Sequence, residues 1–250
     1  MPDKRKHRGP HPDDAGLFGP DALPALRRAA EDLEWLLSKG YASTSALKLV
    51  GDRYELVARQ RTALARATCS RAEAARRREH EVRPERLTGR PLWLDGYNVL
   101  TTVEAALSGG VILGCRDGSY RDMASMHGSY RKVAETALAL ERIGRTIAGL
   151  GVGVCRWYLD RPVSNSGRLK AIIEQSAAEH DWPWEVELVP NPDPVLWETD
   201  EIVATADSVI LDRCARWVSL ARRVVDRGVP GAWVVRLAAE AGQVASQDMP

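Results

Sequence analysis

Four aspartates each follow a short apolar run: Asp95 after Leu92-Trp93-Leu94, Asp160 after Val152 to Leu159, Asp193 after Trp184 to Val189, and Asp207 after Ile202 to Thr205. Apolar runs of this length, rich in β-branched and aromatic residues, are predicted strands. In an open α/β sheet the ligand crevice lies beyond the carboxyl ends of the strands, so the four carboxylates are expected to converge there. Crowded carboxylates repel and each resists ionising beside the others. A divalent cation relieves that repulsion, and an all-oxygen donor set favours Mg²⁺ or Mn²⁺ over zinc. Such an ion activates water and neutralises charge on a phosphodiester. Any one of these residues is equally a helix cap; it is the recurrence after four strands that points to one site.

Around this set stand weaker candidates. Asn98, three residues after Asp95, either orients water at the site or closes the turn. Asp212, five residues past Asp207, is a fifth candidate ligand or a partner for Arg213 or Arg216. Glu135 is a helical acid with the same two readings, ligand or exposed side chain beside Arg131. Arg161, Ser164, Asn165 and Arg168 follow the second acidic strand, where a helix start and two guanidinium groups suit a phosphate; an ordinary cap accounts for Ser164 and Asn165 as well. Arg121 and Asp122 close a glycine-rich stretch, Ser108 to Asp122, that reads as a β-hairpin on its Gly109-Gly110 and Asp117-Gly118 turns, with either side chain able to reach the site. Trp182 and Trp184 read as core residues, like the rest of the eight tryptophans, with base stacking the lesser reading. His127 and His180 have no second ligand at metal spacing. Cys69, Cys115, Cys155 and Cys214 form no Cys-x-x-Cys pair and are expected as buried thiols.

These residues require a mainly parallel sheet with alternating helices. Helices fit at about 129–148, 166–180 and 208–226, and Trp233-Val234-Val235 is a fifth strand. Ahead of the α/β part the periodicity predicts helices over Leu23–Leu37 (ended by Gly40), over Leu47–Val50 behind Ser43-Thr44-Ser45 and ahead of a Gly51-Asp52 turn, and from Tyr54 to about Glu79. Arg76-Arg77-Arg78 in the last of these are expected in solvent. The organisation is an extended basic arm (1–22), a small helical domain (23–80), a linker (81–90), a Rossmann-like α/β domain (91–240) and a flexible tail (241–250).

The chain has 250 residues, 44% apolar and 28% charged, the composition of a water-soluble globular protein. No apolar run is long enough for a membrane helix and no apolar stretch follows the basic start, so a cytoplasmic location without a membrane partner is expected. The net charge of +1 conceals an asymmetry: residues 1–90 carry 19 Lys and Arg against 13 Asp and Glu, and the remainder 16 against 21. A basic part that attracts a polyanion, joined to an acidic part that holds metal, fits that split, as does a solvated charged helix face.

Trp93-Leu94-Asp95-Gly96-Tyr97-Asn98-Val99-Leu100 resembles the first strand of PIN-like nucleases, above all the NYN branch with its Asp-Gly-Tyr-Asn motif. Tyr158-Leu159-Asp160, Asn191-Pro192-Asp193 and Thr205-Ala206-Asp207 are similar to that branch's later acidic positions. The likeness covers roughly 91–240 and implies a metal-dependent nuclease acting mostly on RNA; the glycine-rich stretch at 108–122 departs from the pattern and leaves the substrate groove in doubt. Over the whole chain, Arg8-Gly9-Pro10-His11-Pro12, Ser45 to Tyr54 and Asp160 to Gly167 resemble the prokaryotic family called domain of unknown function four-three-four, fused to a PIN-like part. That likeness carries architecture rather than chemistry.

The expected function is a metal-dependent phosphodiesterase, a ribonuclease in the first instance. Asp95, Asp160, Asp193 and Asp207 would hold Mg²⁺ or Mn²⁺, Asn98 would position water, and the arginines would hold phosphate. RNA is the expected partner, with self-association left open. A nucleic-acid- or nucleotide-binding protein without turnover and a small-molecule phosphatase are the alternatives.

Overall fold

The computed structural model describes residues 7–124 and 130–237. In chain order its elements are α1 (Asp14–Leu17), α2 (Leu23–Ser38), α3 (Ser43–Arg53), α4 (Ala58–Ala67), α5 (Arg71–His80), β1 (Leu92–Asp95), α6 (Gly96–Leu107), β2 (Ile112–Gly114), β3 (Tyr120–Asp122), α7 (Thr136–Gly149), β4 (Cys155–Asp160), α8 (Ser166–Glu179), β5 (Trp184–Val189), α9 (Pro192–Trp197), β6 (Ile202–Ala204), α10 (Ser208–Leu211), β7 (Trp217–Val218), α11 (Leu220–Gly228) and β8 (Val234–Arg236). The expected tail at 241–250 and His127 lie outside the described residues. No helix among the described residues is long and apolar enough to cross a membrane.

The main sheet is parallel with strand order β5-β4-β1-β6-β7. Because side chains alternate across a strand, Leu92, Leu94, Cys155, Trp157, Ile202 and Ala204 enter one core with Leu140, Ile143, Leu169 and Val224 of the helices. Tyr158, Val203 and Trp93 face the other way, against Leu196, Ile210 and Leu211. The strand order reverses direction at β1: the chain moves out through β4 and β5, then returns to the other side through β6 and β7. The crevice between β1 and β6 is therefore the topological switch point, where such sheets bind ligands.

Several expectations are corrected. A helix, α6, begins directly after Asp95, one element earlier than expected; Gly96 opens it because a Cβ there would meet Leu159 Cδ2 at 2.6 Å and the Tyr158 carbonyl at 2.9 Å. The single helix expected over 208–226 is α10, the short edge strand β7, and α11, because Trp217-Val218 pairs with β6. The 108–122 stretch does form a hairpin, but with β8 it makes a second sheet of order β3-β2-β8 instead of extending the first.

The helix expected from Tyr54 to Glu79 is two helices, α4 and α5. Ser70 caps the second: its hydroxyl accepts from the Glu73 N–H at 3.2 Å and the Glu73 carboxylate accepts from the Ser70 N–H at 2.8 Å, a reciprocal capping box. The turn expected at Gly51-Asp52 is instead the end of α3, with the left-handed turn at Glu55, whose φ is +51°. The four cysteines are free and buried. Trp157 and Trp217 are in the core, but Trp35 is 53% exposed and does not belong there.

The amino-terminal helices do not stand apart. Leu26, Ala30, Leu33, Leu64 and Ala67 share one core with Leu113 and Cys115 of the hairpin and Val235 of β8. The described part of the expected arm, from residue 7 on, is docked, with α1 in it: Asp14 is buried and bonded to Arg59 at 2.5 and 2.8 Å, and Phe18 is in the core. The expected linker is stitched down, since the Val82 N–H donates to the Trp217 carbonyl at 2.8 Å and Leu87 is part of the main core.

Arg77, expected in solvent, is 2% exposed. Its guanidinium donates to Asp117 of the hairpin turn at 2.7 Å and to both oxygens of Asp212 at 2.8 Å, and its carbonyl accepts from Trp217 Nε1 at 2.5 Å. Burial pushes the Asp117 carboxyl up, but Arg121, the Ser119 hydroxyl and Arg77 outweigh it and hold the group at about 2. Removing one partner of a buried charge network leaves the other uncompensated. Arg77→Ala is expected to cost about 3–5 kcal/mol in urea denaturation at pH 7; a loss below about 1 kcal/mol would show that the clamp is not needed. Asp117 titrates lower folded than unfolded, so its stabilisation is present above pH ~4 and is lost as pH falls toward 2. The deficit of Asp117→Asn relative to the parent protein should therefore shrink over that interval.

Candidate functional site

Asp95, at the end of the central strand, is the N-cap of α6, where its Oδ1 accepts from the Asn98 N–H at 3.4 Å. Its Oδ2 accepts from the Thr205 hydroxyl at 2.8 Å, and that hydroxyl accepts in turn from the Asp207 N–H at 3.0 Å. Asp207 caps α10 by accepting from Val209 N–H at 2.7 Å. Asp193 sits in the first turn of α9, and Asp160 ends β4 in register with Val189. Each acid is thus placed by a strand end or the helix that follows it.

Asp95, Asp193 and Asp207 line one cleft of about 670 Å³, together with Asn98, Tyr97, Asp122 and Asp212. Asp160 is outside its lining but within reach of its field. Burial raises Asp95 to about 7; the Thr205 bond opposes this, while Asp207 and then Asp160 add to it. Burial and then Asp193 raise Asp160, and burial and then Asp207 raise Asp193. The four predicted acids therefore form one electrostatic unit. Among the described residues, no three His, Cys, Asp or Glu side chains stand together at spacing fit to hold a metal ion. The donors are nonetheless hard oxygens under mutual repulsion. Mg²⁺ commonly keeps several waters and takes only one or two carboxylates directly, so the residues fit such an ion with part of its shell supplied by water.

Asn98 lines the cleft, and its side chain bonds across to the neighbouring strand end rather than closing its own turn. Its Oδ1 accepts from the Ala206 N–H at 2.9 Å, and Arg121 Nε donates to the Ala206 carbonyl at 2.5 Å. The peptide between Thr205 and Asp207 is gripped from both sides, which sets Asp207 relative to Asp95. Arg121 also donates to Asp117 at 2.7 Å and to the Arg66 carbonyl, so its donors serve the scaffold and not a substrate. Asp212 is likewise taken by Arg76 and Arg77, at 2.7 and 2.8 Å. Burial raises its carboxyl, but these partners hold it low. Its partners are not Arg213 or Arg216, and it is a clamp residue on the cleft wall. Asp122 lines the cleft but accepts from Thr101 and Thr102 hydroxyls at 3.2 and 3.1 Å and from the Ala124 N–H at 2.6 Å.

Arg161, Ser164, Asn165 and Arg168 do not line the acidic cleft. Arg161 donates to the Leu188 carbonyl at 2.8 Å, and the Ser164 carbonyl accepts from the Tyr130 N–H at 3.0 Å. Asn165 and Arg168 line a separate hollow of about 380 Å³ with Tyr130, Arg131 and Lys132. Tyr97 of the acidic cleft packs on Tyr130 at 5.6 Å between ring centroids, so the aromatic pair joins the two hollows. Glu135 lines neither hollow; it pairs with His7 at 2.6 Å and is mostly covered rather than exposed. Trp182 is stacked on His180 at 4.3 Å and on Trp184 at 4.6 Å, over Gly144, which gives it a packing role.

The other wall of the cleft comes from the amino-terminal helices and the break between α4 and α5: Ser43, Arg66, Thr68, Cys69 and Glu73. Sequence patterning carried no signal for these residues, which lie far from the aspartates along the chain.

With a folded value of about 7 against about 3.9 unfolded, ionised Asp95 opposes folding. That penalty is absent below pH ~4, grows through the interval, and is complete above 7. Asp95→Asn removes it. In chelator at pH 8 the variant should be more stable than the parent protein by on the order of 2–4 kcal/mol, with the difference vanishing at pH 4. Equal or lower stability of the variant at pH 8, measured by urea denaturation, would contradict the burial of this charge.

Comparison with known proteins gives the kinship. The family described as "Domain of unknown function (DUF5616)" matches residues 84–223, and that described as "Protein of unknown function (DUF434)" matches residues 25–80. An uncharacterized protein of Methanocaldococcus jannaschii is 30% identical over 187 residues, 75% of this chain and 89% of that protein. No solved structure matches. The four aspartates fall within the first match and the helical wall of the cleft within the second, and the chain belongs to the DUF5616 family, with a segment similar to DUF434 ahead of it.

Proposed function

We propose that this protein is a metal-dependent phosphodiesterase of PIN-like type, acting on RNA. The observation that carries the reading is that Asp95, Asp193 and Asp207 line one cleft at the switch point of a parallel sheet, with Asp160 near enough to raise Asp95. Structural stability alone gives no reason to gather like charges there, whereas a cation and a phosphate ester do.

One or two of Asp95, Asp193 and Asp207 would hold Mg²⁺ or Mn²⁺ directly, the other acids acting through the ion's waters. Such an ion neutralises phosphoryl charge and supplies a nucleophilic water at neutral pH. The chain's own residues fix the donors: the Thr205 hydroxyl orients Asp95, and Asn98 and Arg121 together hold the Ala206 peptide that sets Asp207. Arg131, Lys132 and Arg168 in the neighbouring hollow supply positive charge for the backbone of an extended strand.

Asp95→Asn is expected to abolish Mn²⁺-stimulated cleavage of single-stranded RNA while remaining folded by circular dichroism. Cleavage by the variant at the parental rate would sink the assignment. Hydrolysis of phosphomonoesters but not RNA would make the protein a small-molecule phosphatase, and salt-sensitive RNA binding without turnover would make it a binding protein.

A further inference from the structure

Two buried hydroxyls in the acidic cleft lack any hydrogen-bond partner among the described residues. One is Tyr97 Oη, on the sheet side, in a residue 4% exposed; the other is Thr68 Oγ1, on the helical side, in a residue 7% exposed. A buried hydroxyl without a partner costs roughly 1–3 kcal/mol, and such groups are rare in native proteins. The buried hydroxyls nearby are engaged: Thr101 and Thr102 with backbone and Asp122, Thr205 with Asp95, and Ser70 with Glu73. The two exceptions belong to residues that line the same cleft from opposite walls.

Both are uncharged donors in a cleft otherwise rich in carboxylates. A carboxylate repels an anionic oxygen; a hydroxyl donates to it. We infer that Tyr97 and Thr68 are ligand-contacting donors that take phosphate oxygens of a bound nucleotide, so that the DUF434 segment supplies one wall of the binding site rather than a separate nucleic-acid tether. The inference rests on the proposed function in that it places a phosphate ester in this cleft.

Substitutions that delete each hydroxyl and keep its shape are Tyr97→Phe and Thr68→Val. Tyr97→Phe keeps the ring on Tyr130 and in the main core. Because each removes an unsatisfied buried group, thermal stability should be unchanged or higher. Calorimetric titration of the full chain in Mn²⁺ with uridine 5′-monophosphate and 2′-deoxyuridine 5′-monophosphate, neither of which contains a cleavable diester, reads the contact directly. Each variant should bind both nucleotides about tenfold more weakly, with Mn²⁺ affinity unchanged. Parental affinity in both variants overturns the inference, and parental affinity in Thr68→Val alone overturns the assignment of the helical wall. A loss confined to the ribonucleotide overturns the phosphate assignment in favour of the 2′-hydroxyl. A parent protein that binds neither nucleotide at millimolar concentration overturns it whatever RNA cleavage shows. Nucleotide binding weakened as expected, in a protein that cleaves no RNA, leaves the inference standing and removes the nuclease reading.

Discussion

Arg77 donates to Asp117 and to both oxygens of Asp212 from a position almost closed to solvent. These three residues come from the last amino-terminal helix, the tip of the hairpin and the segment after β6, so one guanidinium ties together three separate parts of the chain. A buried cation must be fully paired to be tolerated, and that requirement fixes how the helices lie against the two sheets. Arg121 extends the network from Asp117 to the Ala206 carbonyl. The position of Asp207, and with it the shape of the acidic cleft, thereby depends on the pairing of these charges.

The cleft shows the opposite electrostatic balance. Along one wall, arginines pair with acids and the carboxyls of Asp117 and Asp212 are held low. At the strand ends, Asp95, Asp160 and Asp193 are raised by burial and then by neighbouring carboxylates of the same set. The same residue type is stabilising in one layer and destabilising in the next, and the difference lies in whether a guanidinium is in contact. Perturbed carboxyls in a concave site at a sheet switch point mark a place where folding stability has been given up.

The helical segment and the α/β segment match separate families, yet they share a core and enclose one cleft. The hairpin at 108–122 is what makes this so. Its strands bury Leu113 and Cys115 against α2 and α4, while its last residues, Arg121 and Asp122, reach the cleft. This glycine-rich stretch is therefore the piece that joins the helices to the sheet.

Much of this was legible in the order of residues. Apolar runs ending in Asp95, Asp160 and Asp207 are short strands because alternation and β-branched content are local properties, and a parallel sheet with helices follows from their spacing. The Ser70-x-x-Glu73 box was present in the sequence as well, though the arginine-rich run behind it reads as a continuous polar helix. The order of residues could not show that Arg77 is buried, because burial of a charge depends on partners 40 and 135 residues away. It likewise could not distinguish Asp212 and Arg121 as clamp residues from ligands, since an acid or a base near a strand end has the same local pattern in either role. Nor could it place Thr68 opposite Tyr97. Secondary structure comes from short-range periodicity, and so the sequence by itself determined which aspartates stand at strand ends. Which of their neighbours are neutralised, and what closes the cleft over them, was decided only when distant segments packed together.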